Sequence, residues 1–91
     1  MITAIILATV ESDQIPEVAE TITSINGVSE VYSVTGDVDL IIMVRVREFD
    51  EIAAVISNQI AKVPGIISTQ THLAFQAFSQ HDLDATFTLG S

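Results

Sequence analysis

The chain has no cysteine, no tryptophan, only three basic residues and no long apolar run. Each absence excludes something. Without cysteine there are no disulfides, no thiolate metal sites and no cysteine nucleophile. Arg45, Arg47 and Lys62 are too few to track a phosphate backbone. Twelve acidic residues oppose them and bring the formal charge to −9, so direct nucleic-acid binding by this chain is not expected. Apolar runs such as Ala4–Ala8 and Leu40–Val44 reach only five residues. A spanning helix needs roughly 20 apolar residues, so no membrane insertion is expected. No basic segment precedes the first apolar stretch, so the start does not read as a signal peptide. Together these absences favour the cytoplasm.

What is present is strongly apolar. The 91 residues make one domain by length, and 48% of them are hydrophobic. A domain this small buries only about 60–65% of the surface its unfolded chain exposes. The apolar excess needs another protein surface, most simply a second copy of the chain. Self-association is therefore expected.

Periodicity places the elements. Ile2–Val10 is rich in β-branched residues and reads as a strand buried on both faces. Ser12 or Asp13 is a candidate cap for a helix starting near Gln14, with Pro16 in its first turn. Ile15, Val18, Ala19, Ile22 and Ile25 recur at helical spacing until Asn26-Gly27. A strand over residues 28–35 follows, then a Gly36-Asp37 turn and a second long strand over residues 38–47. Asp50 is the candidate cap of a second helix, whose stripe is Ile52, Val55, Ile56, Gln59, Ile60 and Val63. Pro64-Gly65 breaks it. Residues 66–79 read as a long last strand, with Ile67, Thr69, Thr71, Leu73, Phe75 and Ala77 on one side.

The halves are related. Ile22, Ile25, Gly27 and Val28 align with Ile60, Val63, Gly65 and Ile66 at one constant offset. Two such units predict an α+β fold, a ferredoxin-like βαββαβ sandwich. Its four-stranded antiparallel sheet carries two helices on one face. The other face has no cover within the chain, which again points to a dimer. Residues 1–79 are assigned to this domain and residues 80–91 to a tail. The tail is acidic at Asp82 and Asp84 but carries Leu83, Phe87 and Leu89. Packing on a partner and fraying are both open for it.

Little here supports catalysis. His72 and His81 are the only histidines, and their spacing matches no helical metal motif. There is no phosphate-binding glycine loop and no serine elbow. The chain is expected not to be an enzyme, with no catalytic residues, no metal and no cofactor. The informative stretch is Val34-Thr35-Gly36-Asp37-Val38-Asp39-Leu40. A polar hairpin explains Gly36 and Asp37. It does not explain Asp39, whose carboxylate enters an apolar strand and needs a partner. A ligand ammonium or a local backbone N–H would each serve. Amides around a glycine turn also receive carboxylates, so the site suits a zwitterion.

This stretch resembles the glycine–aspartate loop of the Lrp/AsnC effector domain, also called the RAM domain. Asn26-Gly27-Val28-Ser29-Glu30-Val31 and Pro64-Gly65-Ile66-Ile67-Ser68-Thr69-Gln70-Thr71 resemble the family's approaches to its second and last strands. The likeness runs through roughly residues 2–79. One departure is Val38, where the family commonly has Tyr. The resemblance implies a sandwich that dimerises through its sheets, often builds rings of dimers, and binds amino-acid effectors between dimers. By position, Thr35, Gly36, Asp37 and Asp39 belong to that ligand site, and Thr69 and Thr71 match last-strand positions that face the ligand. Full-length members carry a helix-turn-helix domain, whereas this sequence enters its first strand at once. It therefore resembles the stand-alone form, expected to modulate transcription through a full-length Lrp/AsnC regulator. Two competing readings are a purely structural partner of such a regulator, with an empty site, and a small dimeric ferredoxin-like enzyme using His72.

Overall fold

Ile2–Val10 forms the first strand, β1, because β-branched and apolar residues suit both faces of a pleated chain. Ala4, Ile6, Ala8 and Val10 are buried, while Ile5, Leu7 and Thr9 are half-buried on the opposite face. The structure is a computed structural model and describes residues 1–78 and residue 80. After β1 come helix α1 (Ile15–Thr23), strands β2 (Val28–Ser33) and β3 (Leu40–Val46), and helix α2 (Phe49–Asn58). A 3-10 turn (Ile60–Lys62) then leads into strand β4 (Ile66–Leu73). All strand pairs are antiparallel and the order is β2-β3-β1-β4. The fold is the expected ferredoxin-like α+β sandwich. The tail assigned to residues 80–91 lies outside the described residues, apart from residue 80.

The core lies between one sheet face and the two helices. Ile6, Leu40, Ile42 and Val44 from the sheet join Val18 and Ile22 of α1 and Ile52 and Val55 of α2. Fully burying one such side chain contributes about 1.5–3 kcal/mol. No polar or charged side chain is buried with them among the described residues. The apolar stripes of both helices thus meet the alternating residues of β1 and β3, as their periods require.

The element ends differ from the sequence expectation in informative ways. Gln14, not Ser12 or Asp13, precedes α1, and no side chain caps it. The Glu11 carbonyl accepts from the Gln14 N–H at 2.9 Å, so a backbone turn starts this helix. α2 begins at Phe49, which puts Asp50 and Glu51 inside its first turn, where their charge favours the helix dipole. Gln59 is exposed rather than part of the buried stripe, because α2 ends at Asn58. β2 stops at Ser33 and β3 spans only Leu40–Val46, each shorter than expected. β4 stops at Leu73. The Ala74 N–H still donates to the Thr3 carbonyl at 3.0 Å, but β1 begins at Ile2 and offers nothing beyond. A register shift also sets Ile66 opposite Val10 and Ser68 opposite Thr9. Ile67 is the extra residue of this bulge and has no partner on β1, so the expected alternation with Thr69, Thr71 and Leu73 is interrupted there.

The face away from the helices has Ile5, Leu7, Ile41 and Met43 at its centre, all half-buried. Tyr32 and Glu30 flank it on β2, and Ser68, Gln70 and His72 flank it on β4. Gly65 locks the helical layer to the sheet. Its φ is +100°, and a Cβ there would lie 2.7 Å from Val18 Cγ2. Its carbonyl also accepts from the Glu11 N–H at 2.8 Å. Gly65→Ala is therefore expected to destabilise the fold by about 1–3 kcal/mol, through backbone strain and a clash with the core. Urea unfolding of the variant against the parent chain checks this.

Candidate functional site

The β2–β3 connection is built by three hydrogen bonds that converge on Asp39. The Val34 N–H donates to the Asp39 carbonyl at 3.0 Å and closes the loop. The Asp39 N–H donates to the Ala8 carbonyl at 2.9 Å, extending the β1–β3 pairing by one residue. The Val10 N–H donates to Asp39 Oδ2 at 2.8 Å. The carboxylate thus replaces a strand carbonyl where β3 has already turned away from β1. Charged acceptors make short, strong bonds of this kind. Of the two partners open to Asp39, a backbone N–H takes one carboxylate oxygen.

The loop tip is held but not filled. Thr35, Gly36 and Asp37 are exposed. Gly36 has φ +116°, and a Cβ on it would meet no atom within 4 Å. Conformation, not crowding, is what requires glycine there. The backbone N–H groups of Gly36 and Asp37 donate to no group among the described residues. Successive free amides beside a left-handed residue form a concave donor surface for anions.

β4 brings part of the expected threonine pair to this end of the sheet. Thr69 is half-buried opposite Ala8, the residue whose carbonyl holds the Asp39 N–H. Asp39 and Thr69 therefore flank β1 on either side, about 10 Å apart by strand spacing. Thr71 is exposed opposite Ile6, one pleat repeat further from the loop. The structure thus gathers Thr35, Gly36, Asp37, Asp39 and Thr69 at one end, with Thr71 at the margin. None of them lines the groove of about 550 Å³ found at the opposite end, between β3, α2 and the Asn26-Gly27 turn. That groove was missed in the sequence. Its one signal was the placement of two of the three cations, Arg45 and Arg47, at the end of one strand.

A polar cluster borders the open sheet face. Arg45 Nη1 lies 3.2 Å from Glu30 Oε1 and donates to Ser29 Oγ at 2.9 Å. The Tyr32 hydroxyl donates to Glu30 Oε2. This hydrogen bond, with Arg45 beside it, holds the Glu30 carboxyl below the usual carboxylate range. The same bond raises the Tyr32 hydroxyl above its usual value, because ionisation would set a phenolate against a carboxylate. His72 sits on the open face opposite Ile5. Among the described residues no group of His, Asp and Glu side chains could hold a metal. Nor is any helix there long and apolar enough to cross a membrane.

Fold and loop together define a small α+β domain of ferredoxin-like architecture. A family model described as the Lrp/AsnC ligand binding domain matches residues 3–83. The chain belongs to that family, whose curated relatives are named as HTH-type transcriptional regulators. It is 37% identical over 59 residues to an uncharacterized HTH-type transcriptional regulator of Pyrococcus horikoshii. That match takes in 65% of this chain but only 39% of the regulator, so the chain spans well under half of that relative. Among solved structures, TTHA0845 from Thermus thermophilus is similar with TM-score 0.82 and 36% identity, over 88% of this chain and 100% of that one. E. coli AsnC is similar with TM-score 0.79 and 26% identity, over 87% of this chain and 54% of AsnC. The fold is also that of a Neisseria meningitidis regulator solved as an L-Met complex, with TM-score 0.77. That match covers 87% of this chain and 53% of the regulator, and its identity of 12% shows the fold alone.

Two outcomes test this geometry. Asp39→Ala strips the Val10 N–H of its acceptor and is expected to cost about 1–3 kcal/mol, whereas Asp39→Asn keeps an acceptor oxygen and costs less. Urea denaturation of both variants measures the difference. Tyr32 is the only tyrosine and there is no tryptophan, so the phenolate absorbance reports one group. It is expected to ionise above the ordinary tyrosine value of 10.0, and Glu30→Gln is expected to lower that midpoint. A spectrophotometric pH titration of both proteins decides it.

Proposed function

We propose that this domain senses a small effector, an amino acid, at an interface between copies of itself, and passes the signal to a DNA-binding unit. The observation that carries the reading is the loop of residues 34–39, clamped at its base by Asp39 yet offering unused amides at Gly36 and Asp37. Thr35, Gly36, Asp37 and Asp39 supply the ligand's polar contacts, with Thr69 and Thr71 toward its side chain. In one chain this ligand surface is open on one side, so a neighbouring copy completes it. Membership of a ligand-binding family supports the same reading.

The uncovered sheet face supports assembly. Ile5, Leu7, Ile41 and Met43 form an apolar patch of the kind that pairs with itself across a two-fold axis. A dimer through this face, assembling further into a ring, brings loops from separate dimers together. The strongly acidic chain makes no DNA contact of its own, so its output goes through a regulator that does. The protein acts in the cytoplasm and not as an enzyme.

One observation favours a second reading, that of a partner subunit with no ligand. Asp39 already uses a carboxylate oxygen on the Val10 N–H, so the loop needs no ligand to satisfy it. Light scattering after size-exclusion chromatography, paired with thermal shifts against each of the twenty amino acids, separates the two. Sensing predicts an oligomer that changes size with one amino acid, or a raised melting temperature. A ligand at 100 times its Kd adds about 2.7 kcal/mol, which is several degrees for a domain this small. A fixed oligomer indifferent to all twenty leaves the structural-partner reading.

A further inference from the structure

We propose that the groove between β3, α2 and the Asn26-Gly27 turn receives residues 81–91 of its own chain, an acidic and partly apolar segment that lies outside the described residues. The groove stands at the opposite end of the sheet from the Gly36 loop, so this contact is independent of the function proposed above.

Charge selects such a segment. Arg45, Arg47 and Glu51 line the groove, two guanidiniums against one carboxylate, in a chain whose formal charge is −9. Arg45 commits its Nη1 to Glu30 and Ser29. Arg47 has no ion-pair partner among the described residues. Residues 81–91 carry Asp82 and Asp84 and no lysine or arginine. A tethered carboxylate meets Arg47 at an effective concentration on the order of millimolar, ahead of any free anion. Glu51 on the other wall opposes a dense run of acids but not one carboxylate flanked by apolar side chains.

The walls suit those flanking residues. Val46 and Val55, each 5% exposed, bring core side chains to the groove. Gly27 keeps the wall between them low: a Cβ there would lie 3.1 Å from Val55 Cγ2 and 3.2 Å from Val46 Cγ1. The groove encloses about 550 Å³, enough for an apolar side chain such as Leu83 or Phe87.

Connectivity brings the segment within reach. The Ala74 N–H donates to the Thr3 carbonyl, so the chain leaves β4 beside the start of β1. There Ile2 pairs with Val46 of β3, and Met1 itself lines the groove. The exit of β4 and the groove therefore share one end of the sheet, two strand spacings or about 10 Å apart. The chain from Ala74 to Asp82 spans up to about 26 Å. Residues 74–78 of that link are exposed, so the body of the domain does not bury them elsewhere.

A nitroxide on the segment tests this in the full chain. The protein has no cysteine, so Ala85→Cys gives one labelling position. With valine and isoleucine methyls observed by NMR, the label is expected to broaden Val46 and Val55 and to spare Val34 and Val38. Arg47→Glu, or Asp82→Lys with Asp84→Lys, is expected to cut that broadening about threefold or more, as is raising the salt from 0.1 M to 1 M. Arg47 is exposed, and an unchanged Ile22 and Ile42 methyl pattern shows that the core is intact. A mixture of isotope-labelled chains without nitroxide and unlabelled chains carrying it is expected to show no broadening. Broadening in that mixture would assign the groove to a second copy and overturn the proposal. So would sharp Val46 and Val55 signals in the labelled chain, equal broadening at both ends of the sheet, or indifference to Arg47→Glu.

Discussion

Burial of one face of β1 and β3 beneath two helices is the constraint from which the other features follow. Ile6 shows it best: fully buried, paired with Ile42 on one side and Thr71 on the other. Side chains alternate along a strand, so slipping either strand by one residue would turn its apolar set out of the core. That sets the register, and the register decides which residues meet at each end of the sheet. It also decides that Ile5, Leu7, Ile41 and Met43 lie together on the face the helices do not cover. Among the described residues no further element covers that face.

The two ends of the sheet are then equipped differently. At one end β1 outlasts β3, leaving the Val10 N–H beyond the last backbone carbonyl of its neighbour, and the Asp39 carboxylate takes that place. A buried donor without an acceptor is costly, so the aspartate serves the fold whatever else it does. It ties down the loop base, while the amides of Gly36 and Asp37 at the tip donate to no group among the described residues. At the other end the crossing of β3 into α2 leaves a groove. The close approach of Gly27 to Val46 and Val55 shapes its wall.

Charge is unevenly distributed over the domain. Two of the three cations, Arg45 and Arg47, stand at the β3 terminus, where Arg45 is tied to Glu30 and Ser29. Twelve acidic residues against three basic ones leave the chain strongly negative, which opposes association with a polyanion. Under the proposed function, coupling to transcription runs through assembly, with the half-buried sheet face as its surface.

Local patterns were sufficient for the architecture. The alternation of β1 and β3, the helical stripes through Val18 and Ile22 and through Ile52 and Val55, and the Gly36-Asp37 turn were all readable in the sequence. They depend on residues a few positions apart. The uncovered face followed from the element order alone. Other features needed the tertiary structure. The partner of Asp39 is the Val10 N–H, 29 residues away, which no local pattern names. The bulge at Ile67 and the end of β4 at Leu73 were set by where β1 starts and stops, not by the β-propensity of residues 66–79. The groove beside Arg47 and Glu51 exists only because β3, α2 and the Asn26-Gly27 turn converge. The sequence by itself determined which residues are apolar and at what period, and so the layers. The tertiary structure decided which backbone groups of distant segments meet, because register and close approach depend on the whole sheet at once.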